Sequence, residues 1–277
     1  MAPTNRHETE VASIVDSTFD TPFDLNLIGL WTLYLKEVRR FLKVPGQTLA
    51  APAITTLMFL LIFALALGRS GRTVGGVPFL EFLAPGLVMM AIIQNAFANT
   101  SSSILIGKIQ GNIVDILMPP LRPAELTFGL IAGGVSRGLL VAVTVAIVML
   151  PFVELHFAHP AFILYHAVGG SLMLALLGLL GGIWAERFDQ MAAMTNFVIT
   201  PLSFLSGTFY SVAILPEPFR SLAYANPFFY LIDGIRYGFA GHADGSLWSG
   251  LIVVAAVNLV LCVVAHRLIA RGYRLKA

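Results

Sequence analysis

The sequence has 277 residues, of which 57% are hydrophobic and only 12% are charged, and its formal net charge is +2. A soluble domain carries about 25% charged residues, so this composition excludes a water-soluble protein and indicates a single integral membrane domain. The small net charge gives no reason to expect nucleic-acid binding, and the single cysteine, Cys262, excludes an internal disulfide and a cysteine-only metal cluster.

The amino-terminal region divides into a charged tail and an amphipathic segment. Residues 1–23 carry several charged side chains and no apolar run, so we expect no cleaved signal peptide and a disordered cytoplasmic tail. Residues 24–44 predict an amphipathic helix in the membrane interface, with its cations towards anionic headgroups. A soluble-type helix packed on a partner is the alternative. The apolar stripe comprises Leu27, Trp31, Tyr34, Val38 and Phe41, and the cations are Lys36, Arg39, Arg40 and Lys43.

Six apolar segments follow, each close to the about 20 residues that a transmembrane helix needs. Lysine and arginine are concentrated in the segments on one side, so the positive-inside rule predicts that both termini are cytoplasmic. The sequence therefore predicts an all-α integral membrane protein with six transmembrane helices. These spans cover residues 46–67, 80–106, 125–150, 161–184, 191–210 and 247–269.

Between the second and third spans, residues 108–118 can form a short cytoplasmic helix, which Pro119 and Pro120 would end. A helix at this position would lie parallel to the membrane.

Residues 201–241 are too apolar for an ordinary loop and too broken by proline and glycine for one span. They predict two helical pieces, at about residues 217–225 and 228–239, that enter and leave the outer face as a re-entrant outer helical hairpin before the last span. Asp233 and Arg236 can pair at i and i+3. An interfacial aromatic belt explains some of the aromatic residues but not the helix breaks. The candidate outer gate comprises Tyr210, Phe228, Tyr230, Asp233 and Arg236.

Polar residues within the spans mark a candidate translocation pathway. Asn95, Asn99 and Ser102 lie on one face of the second predicted helix, and such a face points to helix partners or to a pathway. Arg137 lies near the middle of the third span and must have a partner there. It either pairs with an interhelical carbonyl or asparagine, or faces the pathway and attracts an anionic substrate head, and the sequence favours neither.

Catalytic and metal-binding motifs receive little support. The Gly107–Lys108 pair lacks the other residues of a Walker A motif, so this chain is not expected to bind ATP or to be an enzyme. A cluster of Glu154, His156 and His159 leaves open a membrane-embedded metal- or cofactor-handling protein, although Pro160 breaks the helix that would align it. An ion-coupled secondary transporter is a third possibility, but it would need acidic residues within the membrane.

Several blocks of the sequence together resemble the permease subunits of type-2 ABC transporters, a family that includes YadH-like, NodJ-like and polysaccharide-export permeases. The resemblance covers nearly the whole chain after Asp24 and assigns residues 45–277 to the transporter's transmembrane domain. The blocks are FLAPGLVMM, NAFANTSSSI, KIQGNIVDILMPP, GGVSRG and NPFFYLIDGIRYG.

The resemblance implies an ATP-driven exporter in the bacterial inner membrane that moves an amphipathic substrate outward, such as a lipid, a glycolipid or a hydrophobic drug. It also implies a homodimer of permeases and two copies of a separate ABC ATPase subunit, which would hold ATP and Mg²⁺. Residues 108–118 would then be the coupling helix that contacts the ATPase. Its expected polar contacts are Lys108, Asn112 and Asp115, and its apolar anchors are Ile113, Ile116 and Leu117.

Overall fold

The computed structural model describes residues 25–67, 73–117 and 120–274, without the side chains of Leu67, Ile116 and Leu117. The predicted tail at residues 1–23 lies outside the described residues. Helices make up most of the described chain, as the composition predicts.

Helix α1 spans Leu27–Leu42 and begins where the Asn26 side chain accepts a hydrogen bond from the backbone of Gly29, at 2.8 Å. The helix buries Glu37 together with two apolar side chains, whereas Leu27 and Trp31 are exposed. Part of the predicted apolar stripe therefore faces outward, and the side of α1 that packs on the protein contains a carboxylate. The two buried apolar residues are Leu33 and Phe41.

The first long apolar helix follows directly. A π-helical turn, Gly46–Ala50, continues into α2, Ala51–Leu67. Beyond it, strands β1 (Thr73–Val74) and β2 (Val77–Pro78) form a small antiparallel hairpin, whose turn uses two glycines with positive φ. The predicted short outer loop thus contains a hairpin.

Helix α3, Phe79–Ile109, is the longest of the described helices, with 31 residues and Pro85 in its second turn. A turn at Gly111, with φ +73°, separates it from α4, Ile113–Leu117, which has only five residues. The prediction of one helix over residues 108–118 is therefore wrong in its bounds. Glycine at 111 permits the left-handed backbone that breaks the helix.

Helices α5 (Pro123–Met149) and α6 (Pro160–Trp184) complete the core with α3. The Glu125 carboxylate joins the starts of α1 and α5, because it accepts from the backbone of both Asn26 and Arg122, at 2.8 Å each. A Cβ at Gly178 of α6 would overlap the backbone of α3, so only glycine permits this close approach.

The segment predicted as the fifth span forms an irregular helical run. It consists of α7 (Phe188–Met194), a π-helical turn (Thr195–Ile199) and α8 (Thr200–Leu205). The run ends at Leu205, whereas the predicted span ended at residue 210. It contains the polar residues Asp189 and Asn196, which lower its hydropathy.

Five helices in the described part of the chain are long and apolar enough to cross a membrane. They correspond to five of the six predicted spans, so the chain is a multi-pass α-helical membrane protein. The α7–α8 run is not among them. The five helices are Gly46–Ala66, Phe79–Ile109, Pro123–Met149, Pro160–Trp184 and Leu247–Ala270.

The outer segment begins with a 3-10 turn, Val212–Ile214, and continues with α9 (Phe219–Ala225) and α10 (Pro227–Ala240). The two predicted helical pieces are therefore present, divided at Pro227. Gly241, with φ +70°, ends α10, and α11 then spans Leu247–Ala270. Helix α10 packs against α3, α6 and α11, which draws the outer segment into the core.

Candidate functional site: two polar junctions on helix α3

Glu37 of α1 lies fully buried against the polar face of α3. One carboxylate oxygen accepts a hydrogen bond from the Ser103 hydroxyl at 2.7 Å. The other accepts from Nε and Nη2 of Arg40 at 3.2 and 2.9 Å. Because a buried carboxylate needs a charged or hydrogen-bonding partner, these contacts compensate its removal from water.

Arg40 extends from Glu37 onto two polar positions of α3. Its Nη2 donates to the backbone carbonyl of Asn99 at 2.6 Å and to the Asn99 side chain at 3.1 Å. Its Nη1 donates to the Ser102 hydroxyl at 3.0 Å. We call Glu37, Arg40, Asn99, Ser102 and Ser103 the inner junction.

The inner junction corrects one prediction and adds residues that the sequence did not single out. Arg40 was expected to face lipid headgroups, but its guanidinium turns inward to Glu37. A lone acid inside a cationic run, four residues from a buried leucine, was the signal that could have identified Glu37. The polar face of α3 thus has α1 as a helix partner at Asn99 and Ser102.

Arg137 of α5 has an asparagine partner, as one of its two interpretations required. Its Nη2 donates to Oδ1 of Asn95 at 3.2 Å, and Asn95 also donates to the backbone of its own helix. The guanidinium is half-buried, and its Nε is buried without a hydrogen-bond partner among the described residues. Arg137 therefore retains donor capacity beyond Asn95.

Small residues of α5 allow α1 to approach closely. A Cβ at Gly133 would lie 2.5 Å from the Cβ of Glu37. Nearby, the Tyr34 and Ser136 hydroxyls share a hydrogen bond of 3.0 Å. The inner junction is therefore held between α3 and α5.

Arg236 of α10 is fully buried at the other end of α3. Its Nε donates to the carbonyl of Phe82 at 3.2 Å, and its Nη2 donates to the carbonyl of Gly207 at 2.7 Å. The guanidinium carbon lies 3.9 Å from the centre of the Phe82 ring, in a cation–π contact. This arginine joins α3, the turn after α8 and α10.

Asp233 has a separate set of partners. Its carboxylate accepts hydrogen bonds from the backbone N–H groups of Asp244 and Gly245, at 2.7 and 3.0 Å. In the described structure no ion pair joins it to Arg236, so the prediction that the two pair is wrong. The two side chains leave α10 in different directions, since Asp233 faces the loop before α11 and Arg236 faces α3.

Asp244 extends this network to the turn at residues 211–212. It accepts from the Ser211 hydroxyl at 2.8 Å and from the Val212 backbone at 2.9 Å, and the His242 ring lies 3.1 Å away. Sequence reasoning missed Asp244 because a loop acid carries no periodic signal. We call Phe82, Gly207, Asp233, Arg236 and Asp244 the outer junction.

The remaining candidate gate residues lie around the outer junction. Phe228 is buried, whereas Tyr210 and Tyr230 are half-buried. The Tyr210 hydroxyl donates to the carbonyl of Leu205 at 3.1 Å. The structure therefore brings all five candidate gate residues into one region, around the outer junction.

The candidate coupling residues are divided between two environments. Lys108 belongs to α3, and its ammonium donates to the carbonyls of Ile183 and Ala185 at the end of α6, at 2.8 and 2.6 Å. Ile113 is buried. Asn112 and Asp115 are exposed, and the side chains of Ile116 and Leu117 lie outside the described residues. Two exposed apolar side chains not singled out from the sequence lie beside them, Ile109 and Val114.

The candidate metal cluster is not assembled. His156 lies 3.5 Å from the Glu81 carboxylate, while the His159 ring stacks on Tyr237 with a centroid distance of 4.5 Å. Across the described ranges, no group of three or more potential ligands from His, Cys, Asp and Glu could hold a metal ion. The metal-handling alternative therefore gains no support.

Comparison with known proteins gives consistent matches. The ABC-2 type transporter family matches residues 29–240. The chain is 35% identical over 250 residues to the inner membrane transport permease YadH of Escherichia coli K12, which covers 90% of this chain and 98% of that protein. It is 27% identical over 225 residues to nodulation protein J of Rhizobium leguminosarum bv. trifolii, covering 79% of this chain and 82% of that protein.

Proposed function

The chain belongs to the ABC-2 type transporter family, and from this premise we propose that it is the permease subunit of an ATP-driven exporter in the bacterial inner membrane. Its substrate is an amphipathic molecule, such as a lipid, a glycolipid or a hydrophobic drug. Two permease copies form a homodimer, and two separate ABC ATPase subunits bind ATP and Mg²⁺. The inner-membrane location is supported by the name of the E. coli relative.

In this proposal the chain crosses the membrane six times, with both termini in the cytoplasm. The α7–α8 run supplies the remaining span, and α1 lies in the membrane interface as an amphipathic helix. Helices α9 and α10 form the re-entrant outer hairpin. Neither α9 nor α10 reaches the about 20 residues of a span, which supports a path that enters and leaves one face.

The observation that carries the proposal is the continuity of α3 from the outer junction at Phe82 to the turn before α4. At the end of α3, the turn before α4 presents exposed Asn112 and α4 presents exposed Asp115, where a partner subunit can dock. ATP-driven movement of the partner would therefore be passed through α3 to the outer gate. Lys108 contributes by holding α3 to α6 beside the docking surface.

The pathway is proposed to run along the face of α3 and α5 that contains Asn95 and Arg137. The guanidinium is half-buried and its Nε has no partner among the described residues, which supports contact with an anionic headgroup. Asn99 and Ser102 share this face and accept hydrogen bonds from Arg40. Arg40 therefore adds a second cation at the inner end of the proposed pathway.

The coupling proposal is tested with Asp115→Arg in the permease reconstituted with its ATPase in proteoliposomes. We expect the variant to fold and insert, because Asp115 is exposed, but to lose substrate-stimulated ATP hydrolysis. Glu154→Arg is the matched control, since it makes the same charge change on an exposed residue of the opposite loop. Normal stimulation in Asp115→Arg, or equal loss in both variants, would overturn the proposed docking surface.

The pathway is tested with a panel of anionic and neutral amphiphiles that stimulate ATP hydrolysis. Arg137→Gln should reduce stimulation by anionic members only, and Arg137→Lys should retain part of it. An equal loss for both classes would show that Arg137 is structural.

A further inference from the structure

An open groove of about 1250 Å³ lies between α1, α5 and α11, separate from both junctions. Its walls are largely apolar and include Leu30 and Trp31 from α1, Phe128 and Ile131 from α5, and Val263 from α11. This volume exceeds the about 300–1,000 Å³ of usual small-molecule sites. The groove therefore has room for a molecule with long apolar chains.

The length of the groove matches one leaflet of a bilayer. Its lining on α5 extends from Ala124 to Ser136, which is about 18 Å at the rise of an α-helix. Half of a hydrocarbon core is about 15 Å thick. An acyl chain of one leaflet can therefore lie along the groove from end to end.

A cation lies at the mouth of this groove. Arg267, in the last turn of α11, is part of the lining together with its neighbour His266, and both are exposed. The Arg267 guanidinium makes no hydrogen bond or ion pair with any residue that the structure describes. An unpaired guanidinium beside a long apolar groove is complementary to an anionic headgroup with acyl chains.

We propose that this groove binds an anionic phospholipid, with its acyl chains along α5 and α11 and its phosphate at Arg267. Because α1 forms one wall, the lipid also holds α1 against α5, next to the Tyr34–Ser136 hydrogen bond. A ligand that binds only the folded protein stabilises it, so this lipid supports the position of the helix that carries Glu37 and Arg40. Lipid binding at this groove does not depend on the proposed transport function and can be tested without measuring transport.

Trp31 reports occupancy of the groove directly. In the variant Trp184→Phe/Trp248→Phe, Trp31 is the single tryptophan. The protein is placed in nanodiscs of phosphatidylglycerol and phosphatidylcholine, and the acyl chains of one lipid at a time are brominated. Since Trp31 is 58% exposed, either lipid quenches its fluorescence, and the readout is the difference between them.

We expect brominated phosphatidylglycerol to occupy the site about fivefold more than phosphatidylcholine at equal mole fraction, as one cation near an anionic lipid predicts. Arg267→Gln should abolish the preference, and Arg267→Lys should retain it. Arg271→Gln is the matched control, because Arg271 is also exposed but does not line the groove. Cys262→Phe, which fills the groove, should reduce quenching by phosphatidylglycerol.

Three results would overturn the proposal. One is equal quenching of Trp31 by the two lipids. Another is an equal loss of preference in Arg267→Gln and Arg271→Gln, which would indicate diffuse attraction. The third is the same preference in a variant whose single tryptophan is Trp248, because that residue is exposed at the other end of α11 and reports only the bulk bilayer.

Discussion

The inner and outer junctions each attach an arginine to α3, but they do so with different partners. Arg40 at the inner junction is partly exposed and bonds a carboxylate, an amide, a hydroxyl and one backbone carbonyl. Arg236 at the outer junction is fully enclosed and bonds two backbone carbonyls and the face of one ring. The inner junction is a network of side chains, whereas the outer junction ties side chains to the main chain.

This difference predicts different consequences of mutation. Side chains in a network can exchange partners while the helices stay folded, which suits a contact that shifts during a transport cycle. A guanidinium that satisfies backbone carbonyls is part of the fold itself, because its loss leaves buried polar groups without partners. We therefore expect the outer junction to control stability and the inner junction to control the position of α1.

The largest effect is expected for Arg236→Met. Loss of the guanidinium removes the partner of the Gly207 carbonyl and the contact with Phe82, so the free energy of unfolding should fall by about 2–5 kcal/mol. Unfolding by SDS titration in mixed micelles measures this change.

Arg220→Met is the control for that variant. Arg220 forms an exposed ion pair with Glu217, with Nε 2.9 Å from Oε1, and such pairs contribute little. We expect no measurable change in the free energy of unfolding of Arg220→Met. Similar stability of Arg236→Met and Arg220→Met would remove the distinction between the junctions.

An intermediate effect is expected at the inner junction. Glu37→Gln and Arg40→Gln each leave one charged partner behind, so each single variant should be destabilised. The free energy of unfolding should fall less in the double variant than the sum of its decreases in the two single variants, with a coupling energy of about 1–3 kcal/mol. The same SDS titration on the four proteins of the cycle gives this value. Strict additivity would show that Glu37 and Arg40 act independently.

Lys108 sharpens the comparison, because it lies at the inner end of α3 but bonds the main chain. Lys108→Met removes a cation from the carbonyls that end α6, and we expect a loss of about 1 kcal/mol. Lys36→Met is the control. The Lys36 side chain is exposed on α1, so the substitution should leave the unfolding midpoint unchanged. If Lys108→Met lowered the free energy of unfolding more than the variants of the Glu37–Arg40 cycle do, main-chain contacts would be the main source of stability at both ends of α3.

The smallest effect is expected in the middle of α3. The Thr100 hydroxyl donates to the Ala175 carbonyl of α6 at 2.7 Å, and Thr100→Val should cost about 0.6 kcal/mol, the average for such bonds within membranes. Thr144→Val is the matched control, because among the described residues the Thr144 hydroxyl bonds only to the Leu140 carbonyl of its own helix. A change in Thr144→Val as large as in Thr100→Val would mean that the interhelical bond contributes nothing.

Hydropathy and helix breakers were sufficient to predict most helices. The apolar runs marked the five long helices, and Pro227 correctly marked the break between α9 and α10. The fifth span was predicted over residues 191–210, whereas the helical run covers residues 188–205 and contains a π-helical turn that no sequence pattern marked.

The partners of buried charges were harder to predict than the helices. Helical spacing identified Asp233 and Arg236 as possible neighbours. Each side chain instead bonds backbone groups of residues that are distant along the chain. Backbone carbonyls and N–H groups are the same at every residue, so no sequence pattern marks them as partners. Arg137 was the simpler case, since its asparagine partner is one of the partners that one of its two interpretations named.

In the proposed coupling, helix α3 and its glycine contact with α6 act together as a lever. The pivot is the close approach of Gly178 to Phe97, where the helices cannot separate without losing their packing. From this point the arm to Phe82 is about 22 Å long and the arm to Lys108 about 16 Å, at the rise of an α-helix. A rigid rod about such a pivot moves its outer end farther than its inner end. Small displacements beside α4 would therefore be amplified where Arg236 holds the outer segment.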